Sequence, residues 1–218
     1  MMSKPNFPAR FISFEGTEGV GKTTAIKALA AQFDALGIDY IQTREPGGSA
    51  FAEKLRALLL DPATQINDDT ELLLMFAARS DHLQSVILPA LNQNKWVICD
   101  RFVDSTTAYQ GFGRGFGDKS YLDKLNQLTE NFVPRLPDLT LWLDLPVADG
   151  MSRAGKRSKA DRFEQERLAF FDRVYDGFAM LANHEPRFCR IDAQGNADEV
   201  ALRIWQAVQS RLLDIKSS

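Results

Sequence analysis

The chain is poor in cysteine and histidine, with two of each. Cys99 and Cys189 lie far apart and form no metal-ligand spacing. They are expected to be reduced core thiols of a cytoplasmic protein. No apolar run approaches the ~20 residues that span a bilayer, so no membrane association is expected. Residues Met1 to Arg10 have no apolar stretch of the kind a secretory signal carries. A single-sign charge excess is also missing. The formal net charge is −3, which offers no global basic field for nucleic acid, so an anionic ligand must meet local positive charge. There is no internal repeat and no low-complexity tract. What is there is ordinary globular material: 44% apolar and 25% charged residues, in 218 residues that suit one domain spanning 1–218.

Five short apolar runs read as strands: Phe11–Glu15, Asp39–Thr43, Trp96–Asp100, Thr140–Asp144 and Arg187–Ile191. Most are nearly continuous in apolar residues, the pattern of a parallel sheet covered on both faces. Helical patterns lie between them. Lys22–Leu36 stops at Gly37, and Ala52–Leu60 stops before Asp61-Pro62. Asp69–Gln93, Asp118–Asn131 and Phe163–Asn183 follow, and a last helix begins at Asn196 with Glu199 as a capping-box partner. The alternation predicts an α/β three-layer sandwich around a five-stranded parallel sheet. Gly111–Gly117, with four glycines in seven residues, and the short basic stretch Gly155–Asp161 break the alternation. Both are expected to be mobile loops over a site.

Gly16-Thr17-Glu18-Gly19-Val20-Gly21-Lys22-Thr23 fits G-x-x-x-x-G-K-[ST] between the first strand and the first helix, the context that gives the pattern meaning. Such a loop turns backbone N–H groups onto an anion, and the helix N-terminus adds partial positive charge. Lys22 is expected to reach the β- and γ-phosphates of ATP, and the Thr23 hydroxyl to ligate Mg²⁺. Asp100 ends an apolar strand and is the second candidate metal residue, the alternative being a cap on the next turn. Glu15 ends the first strand and is open between a place near the metal and a local hydrogen bond. No Asn-Lys-x-Asp segment follows a later strand, which argues against a GTPase. Arg101, where a motor ATPase would carry a catalytic glutamate, suits a nucleotide kinase that grips an acceptor phosphate.

Phe14-Glu15-Gly16, the phosphate loop, Thr43-Arg44-Glu45-Pro46-Gly47-Gly48, Phe76-Ala77-Ala78-Arg79, Asp100-Arg101-Phe102 and Ala108-Tyr109-Gln110-Gly111 occur in this order. In this the chain resembles the bacterial type of thymidylate kinase over about residues 10 to 213. The resemblance implies the P-loop kinase architecture, transfer of the ATP γ-phosphate to dTMP with Mg²⁺, and a homodimer formed through helices, the long Asp69–Gln93 helix being a candidate face. It implies that Arg56 and Arg101 hold the dTMP phosphate and that Arg79 reaches thymine O4. Thr106, Tyr109 and Gln110, which share a helical face, would meet the base and the deoxyribose, and Glu18 the sugar 3′-hydroxyl. Glu45 sits near the acceptor, with a turn role as the alternative. Phe76 is expected to stack on thymine. Many relatives place that aromatic four residues before the arginine, where this chain has Met75, so Met75 is the alternative.

The phosphate loop has no arginine at its variable positions. Family members of that kind supply the transition-state cation from a lid. Here the basic stretch Arg153, Lys156, Arg157, Lys159 and Arg162 is expected to form a mobile lid near 153–162. Arg157 is the first candidate for the catalytic cation and Arg153 the second. The Asp192-Ala193-Gln194-Gly195 turn is the expected adenine neighbourhood. Another nucleotide or deoxynucleoside kinase, or a module that binds ATP without turnover, are the rival readings.

Overall fold

The computed structural model describes residues 7–155 and 164–213. Five parallel strands form one sheet: β1 (Phe11–Glu15), β2 (Tyr40–Arg44), β3 (Trp96–Asp100), β4 (Leu139–Asp144) and β5 (Phe188–Asp192), in the order β2-β3-β1-β4-β5. Phe14 pairs with Asp100, and Arg44 with Asp100, so the carboxyl ends of β1, β2 and β3 lie level. β1 is central and the chain leaves it to either side. That makes the crevice beyond β1 and β3 the topological switch point where ligands of such sheets bind. β2 starts and stops one residue later than the apolar pattern suggested, which brings Arg44 onto the sheet's ligand edge.

α1 (Lys22–Leu36) and α9 (Ala197–Val208) cover one face, packing Leu29, Phe33, Ile204 and Val208 onto Ile12, Phe14, Ile98 and Leu141. α3 (Asp68–His82) and α6 (Lys119–Phe132) cover the other, packing Leu72, Phe76 and Leu125 onto Phe11, Val97 and Cys99. α8 (Glu164–His184) completes that layer with Val174 and Phe178 on Trp142. Helix starts follow the local chemistry. Ser49 caps α2 (Ala50–Leu60), Asn67 caps α3 and Asp118 caps α6, each accepting from a first-turn N–H. Gly37 ends α1 in the left-handed region, and Asn196 with Glu199 forms the expected capping box.

The long helix expected over Asp69–Gln93 is interrupted. α3 passes through a wide π-helical turn at Leu83–Ile87 into α4 (Leu88–Asn92), which carries Pro89 in its first turn. Proline removes a helical N–H and crowds the carbonyl four residues back, and the wide turn gives that ring room. A second departure is larger. The first half of Gly111–Gly117 is helix, not a loop over the site, and Gly115–Gly117 is a short turn after it. α5 (Val103–Thr106) runs into a π-helical stretch, Thr107–Arg114, whose Gly111 and Gly113 are buried. A Cβ on Gly113 would sit 2.6 Å from the Phe170 ring, and one on Gly111 2.8 Å from Leu122. These glycines let helices approach backbone to side chain, so small size, not mobility, explains them. Gly155–Asp161 falls beyond Gly155 outside the described residues. Among the described residues no helix is long and apolar enough to cross a membrane, and both cysteines are free thiols, Cys99 buried and Cys189 half-buried.

Candidate active site

A cleft of about 330 Å³ opens at the carboxyl edge of the sheet, and Arg44, Arg56, Arg79 and Arg101 all line it. On its β1 side runs the phosphate loop. Gly16, Gly19 and Gly21 have φ of 137°, 76° and 93°, values that a side chain disfavours. Gly19 also has no room for one, since a Cβ would lie 2.0 Å from the Gly150 carbonyl oxygen in α7 (Val147–Gly155). Gly21 caps α1 without a side-chain hydrogen bond, and the first turn of α1 holds no acidic residue. The open N–H groups and the helix dipole there are left for an anion. Val20 is buried in the core and anchors the loop.

Lys22 lies in the loop with its Nζ 3.3 Å and 3.4 Å from the carbonyl oxygens of Gly16 and Thr17. Burial, and after it Arg101, pull its pKa from the usual lysine range down to about 8, against the attraction of Asp100, Glu15 and Glu18. An incoming polyphosphate would supply the missing negative charge. Asp100 ends β3 beside the loop with its Oδ1 buried and without a hydrogen-bond partner. Thr23 is exposed in the first turn of α1. A hydroxyl and an orphaned carboxylate oxygen suit Mg²⁺, which takes few protein ligands and completes its shell with water and phosphate. Among the described residues no cluster of three or more histidine, cysteine or acidic groups competes for a metal. Glu15 is fully buried and accepts from Phe102 N (2.7 Å) and Ser105 Oγ (2.5 Å), which is the local hydrogen-bonding role. Burial, with Asp104 second, raises its pKa, while Arg101 opposes that rise.

Arg101 stands in the left-handed region at φ 67° although it is not glycine. Its N–H donates to Phe14 O (2.9 Å), and its carbonyl accepts from the Cys99 thiol (3.0 Å). The guanidinium donates to Ser105 Oγ and Tyr109 Oη, both at 3.0 Å, and lies 4.9 Å from the Tyr109 ring centre. Backbone strain held by several contacts at a ligand crevice is the pattern of a pre-organised site. Arg56 is tied by its Nη1 to Pro46 O at 2.6 Å, in the loop after β2, where the Glu45–Pro46 peptide is cis.

A buried relay holds Arg79. Its Nε donates to Glu45 Oε2 (2.7 Å) and its Nη2 to Thr106 Oγ1 (2.9 Å). Glu45 Oε1 lies 3.1 Å from His82 Nδ1, and His82 Nε2 lies 2.7 Å from Thr43 Oγ1. Arg79 Nη1 is buried with no partner. Glu45 thus fixes the arginine rather than forming a turn.

The expected acceptor residues Glu18, Glu45, Arg56, Arg79, Arg101, Thr106, Tyr109 and Gln110 all meet in this one cleft, with Asp100 beside them. Phe76 does not join them. It is 4% exposed in the core under α3, and Met75 lines the cleft instead. On a helix the neighbours of Arg79 lie three or four residues away, and Phe76 at three is drawn inward by Phe11, Leu72 and Val103, leaving Met75 at four for the cleft. Arg153 is exposed on α7 and does not line the cleft, and Arg157 lies outside the described residues. Sequence reasoning did not single out Arg44, Phe102, Ser105 or His82. The signal for His82 was available: it stands three residues after Arg79, on the same helical face.

A model of the thymidylate kinase family matches residues 14–204. The thymidylate kinase of Psychrobacter sp. (strain PRwf-1) is 68% identical over 204 residues, covering 93% of this chain and 98% of that protein. That of Acinetobacter baumannii (strain SDF) is 51% identical over 193 residues, covering 87% and 95%. Among solved structures, the thymidylate kinase from Ehrlichia chaffeensis superposes with a TM-score of 0.74 at 33% identity, covering 92% of this chain and 98% of that one. A cleft of arginines beside a phosphate loop, on this sheet and with these relatives, has one family behind it: the chain belongs to the thymidylate kinases.

Proposed function

We infer that this chain phosphorylates dTMP to dTDP with ATP, a step toward dTTP for DNA synthesis. The observation that carries the reading is the meeting of four arginines and the phosphate loop at one switch-point cleft. ATP lies with its phosphates on the N–H groups of Gly16 to Thr23, and dTMP occupies the arginine cleft. Arg56 and Arg101 grip the dTMP phosphate, their fixed tethers sparing entropy on binding. Arg79 meets thymine O4 with Thr106 and Gln110 near the base edge, and Met75 offers apolar contact to the ring. Tyr109 packs against the deoxyribose and Glu18 meets the 3′-hydroxyl.

The acceptor oxygen of dTMP is already anionic near pH 7, so in-line attack on the γ-phosphorus needs no general base. Rate comes from alignment and from cations placed where charge develops. Lys22 is the described cation for the β- and γ-phosphates. Thr23 and Asp100 would hold Mg²⁺, which when bound neutralises phosphate charge. The remaining cation comes from the lid near 153–162, with Arg157 first and Arg153 second, and closure of that lid excludes water.

The reading also includes a cytoplasmic homodimer with no nucleic-acid partner. The supporting feature is an apolar groove between α3 and α6, lined by Leu73, Phe76, Ala77, Leu128 and Phe132, with Leu73 58% and Phe132 50% exposed. Sedimentation should give twice the chain mass, and a monomer at micromolar concentration would remove this part. Coupled ADP release with ATP–Mg²⁺ tests the activity. Fast turnover on dTMP, slower turnover on dUMP and little on dCMP, AMP, GMP or thymidine is expected. Turnover on another acceptor, or none at all, would overturn it.

A further inference from the structure

We propose that Glu71, outside the acceptor cleft, sets the orientation of the Gln110 side-chain amide and through it the cleft's preference for thymine over cytosine. The proposal rests on the dTMP reading and deepens it. Gln110 is 4% exposed and lines the cleft. Its Nε2 donates to Glu71 Oε1 at 2.9 Å. Glu71 does not line that cleft. It borders a neighbouring polar hollow with Thr64, Gln65 and Arg114.

A carboxylate only accepts hydrogen bonds, whereas a primary amide has a donating end and an accepting end. With Glu71 behind it, Gln110 can satisfy that contact only through its NH₂ group. The flipped amide would set two acceptors against each other in a partly buried place. Glu71 is itself held, because its Oε2 accepts from Arg114 Nη2 at 2.9 Å. The lock therefore has two parts: Arg114 fixes the carboxylate, and the carboxylate fixes the amide.

The consequence is the chemistry left over. Gln110 Oε1 is buried with no partner, and so is Arg79 Nη1. Arg79 has already committed Nε to Glu45 and Nη2 to Thr106. Two residues that line one cleft thus carry an unpaired acceptor and an unpaired donor, each costly to leave so. Thymine presents an N3–H donor beside the O4 acceptor and can pair with both. Cytosine presents an N3 acceptor beside an N4 amino donor, and meets each group with its like. Rejection of cytosine then comes from unpaired buried groups, the strong form of discrimination. If Gln110 were free to turn over, its NH₂ could face cytosine N3, and part of that rejection would be lost.

The test is steady-state kinetics with dTMP and dCMP on the full-length wild type, Glu71→Gln, Gln110→Leu and the double variant, with a thermal melt of each. Glu71→Gln keeps the shape but can present either end of its own amide, so the lock opens. The expected result is a rise of about tenfold in KM for dTMP, kcat within about twofold, and a matching narrowing of the dTMP-to-dCMP ratio of kcat/KM. In the Gln110→Leu background the same change should alter neither KM nor the ratio further, since Glu71 acts only through Gln110. An unchanged ratio in Glu71→Gln, or effects that multiply in the double variant, would overturn the proposal. If Glu71→Gln melts below assay temperature, Arg114→Met reads the same split through the carboxylate's other anchor, and an unchanged ratio there is equally fatal. A wild type that ignores dTMP would instead bring down the reading beneath it.

Discussion

The donor and acceptor halves of the cleft are built on opposite plans. On the proposed reading the donor half is one continuous run, Gly16 to Thr23, that offers backbone N–H groups and a single lysine. Two of its side chains are loosely held: Lys22 lies 3.3 and 3.4 Å from the carbonyl oxygens of Gly16 and Thr17, and Thr23 is exposed. The acceptor half gathers side chains from the loop after β2, from α2, α3, the end of β3 and α5 with its π-helical extension. Its polar side chains are interlocked by hydrogen bonds, buried at Arg79, Glu45 and Thr106 and partly buried at Arg56, Arg101 and Gln110. Triphosphate is recognised by a shape the backbone can make, whereas a particular base and sugar need individual side chains held still. Function and folding are therefore separable in the donor half and entangled in the acceptor half.

The sharpest break of that contrast is Arg79→Leu. Removing this guanidinium leaves Glu45 buried against His82 with its strongest partner gone. Loss of one member of a buried pair costs about 3–5 kcal/mol. Denaturant melts should show that loss together with a higher KM for dTMP. A variant that lost only dTMP affinity would mean the relay is not structural. Lys22→Ala is the counterpart. It should lower kcat on the order of 10²–10³-fold, as removal of one aimed donor does. Its melting temperature should stay level or rise, because burial already disfavours the charge there. A large fall in stability would erase the distinction between the halves.

A smaller effect separates the halves by pH. Lys22 titrates near 8 without ligand, pulled down chiefly by burial. Bound polyphosphate raises that value, so binding favours the protonated form and takes up a proton near pH 8. Affinity must then fall as pH rises, by about tenfold between pH 7 and 9 for a free-state value of about 8. Calorimetry in two buffers of different ionisation enthalpy reads the proton count directly. Binding of dTMP should not take up a proton there through any lysine, since arginines are the cleft's cations.

The same division explains what could be read from the chain. The sheet was legible because β1, β3 and β4 are nearly continuous apolar runs, and the phosphate loop because its chemistry is contiguous and backbone-borne. Arg79, Arg101 and Gln110 were legible by family resemblance. The spacing put His82 on the face of Arg79, but its bond to the Thr43 hydroxyl was not legible, because it exists only once β2 and α3 meet. Gly111 and Gly113 misled for a related reason. Glycine marks both mobile loops and close packing, and only the Phe170 and Leu122 side chains opposite decide which.

The finest test concerns Met75 and Phe76, adjacent residues that composition alone cannot sort. Phe76 lies in the core with the Arg79 guanidinium 5.1 Å from its ring centre, so it supports the arginine from behind. Met75 borders the cleft. Phe76→Leu should cost about 1–1.5 kcal/mol of stability and leave KM for dTMP near the wild-type value. Met75→Ala removes apolar contact from the cleft and should raise that KM a few-fold, roughly the worth of one or two buried methylene-sized groups, with little change in melting temperature. The reverse pattern would turn the α3 register by one residue and put Phe76, three residues before Arg79 and off the family's usual spacing, against the base as the stacking aromatic.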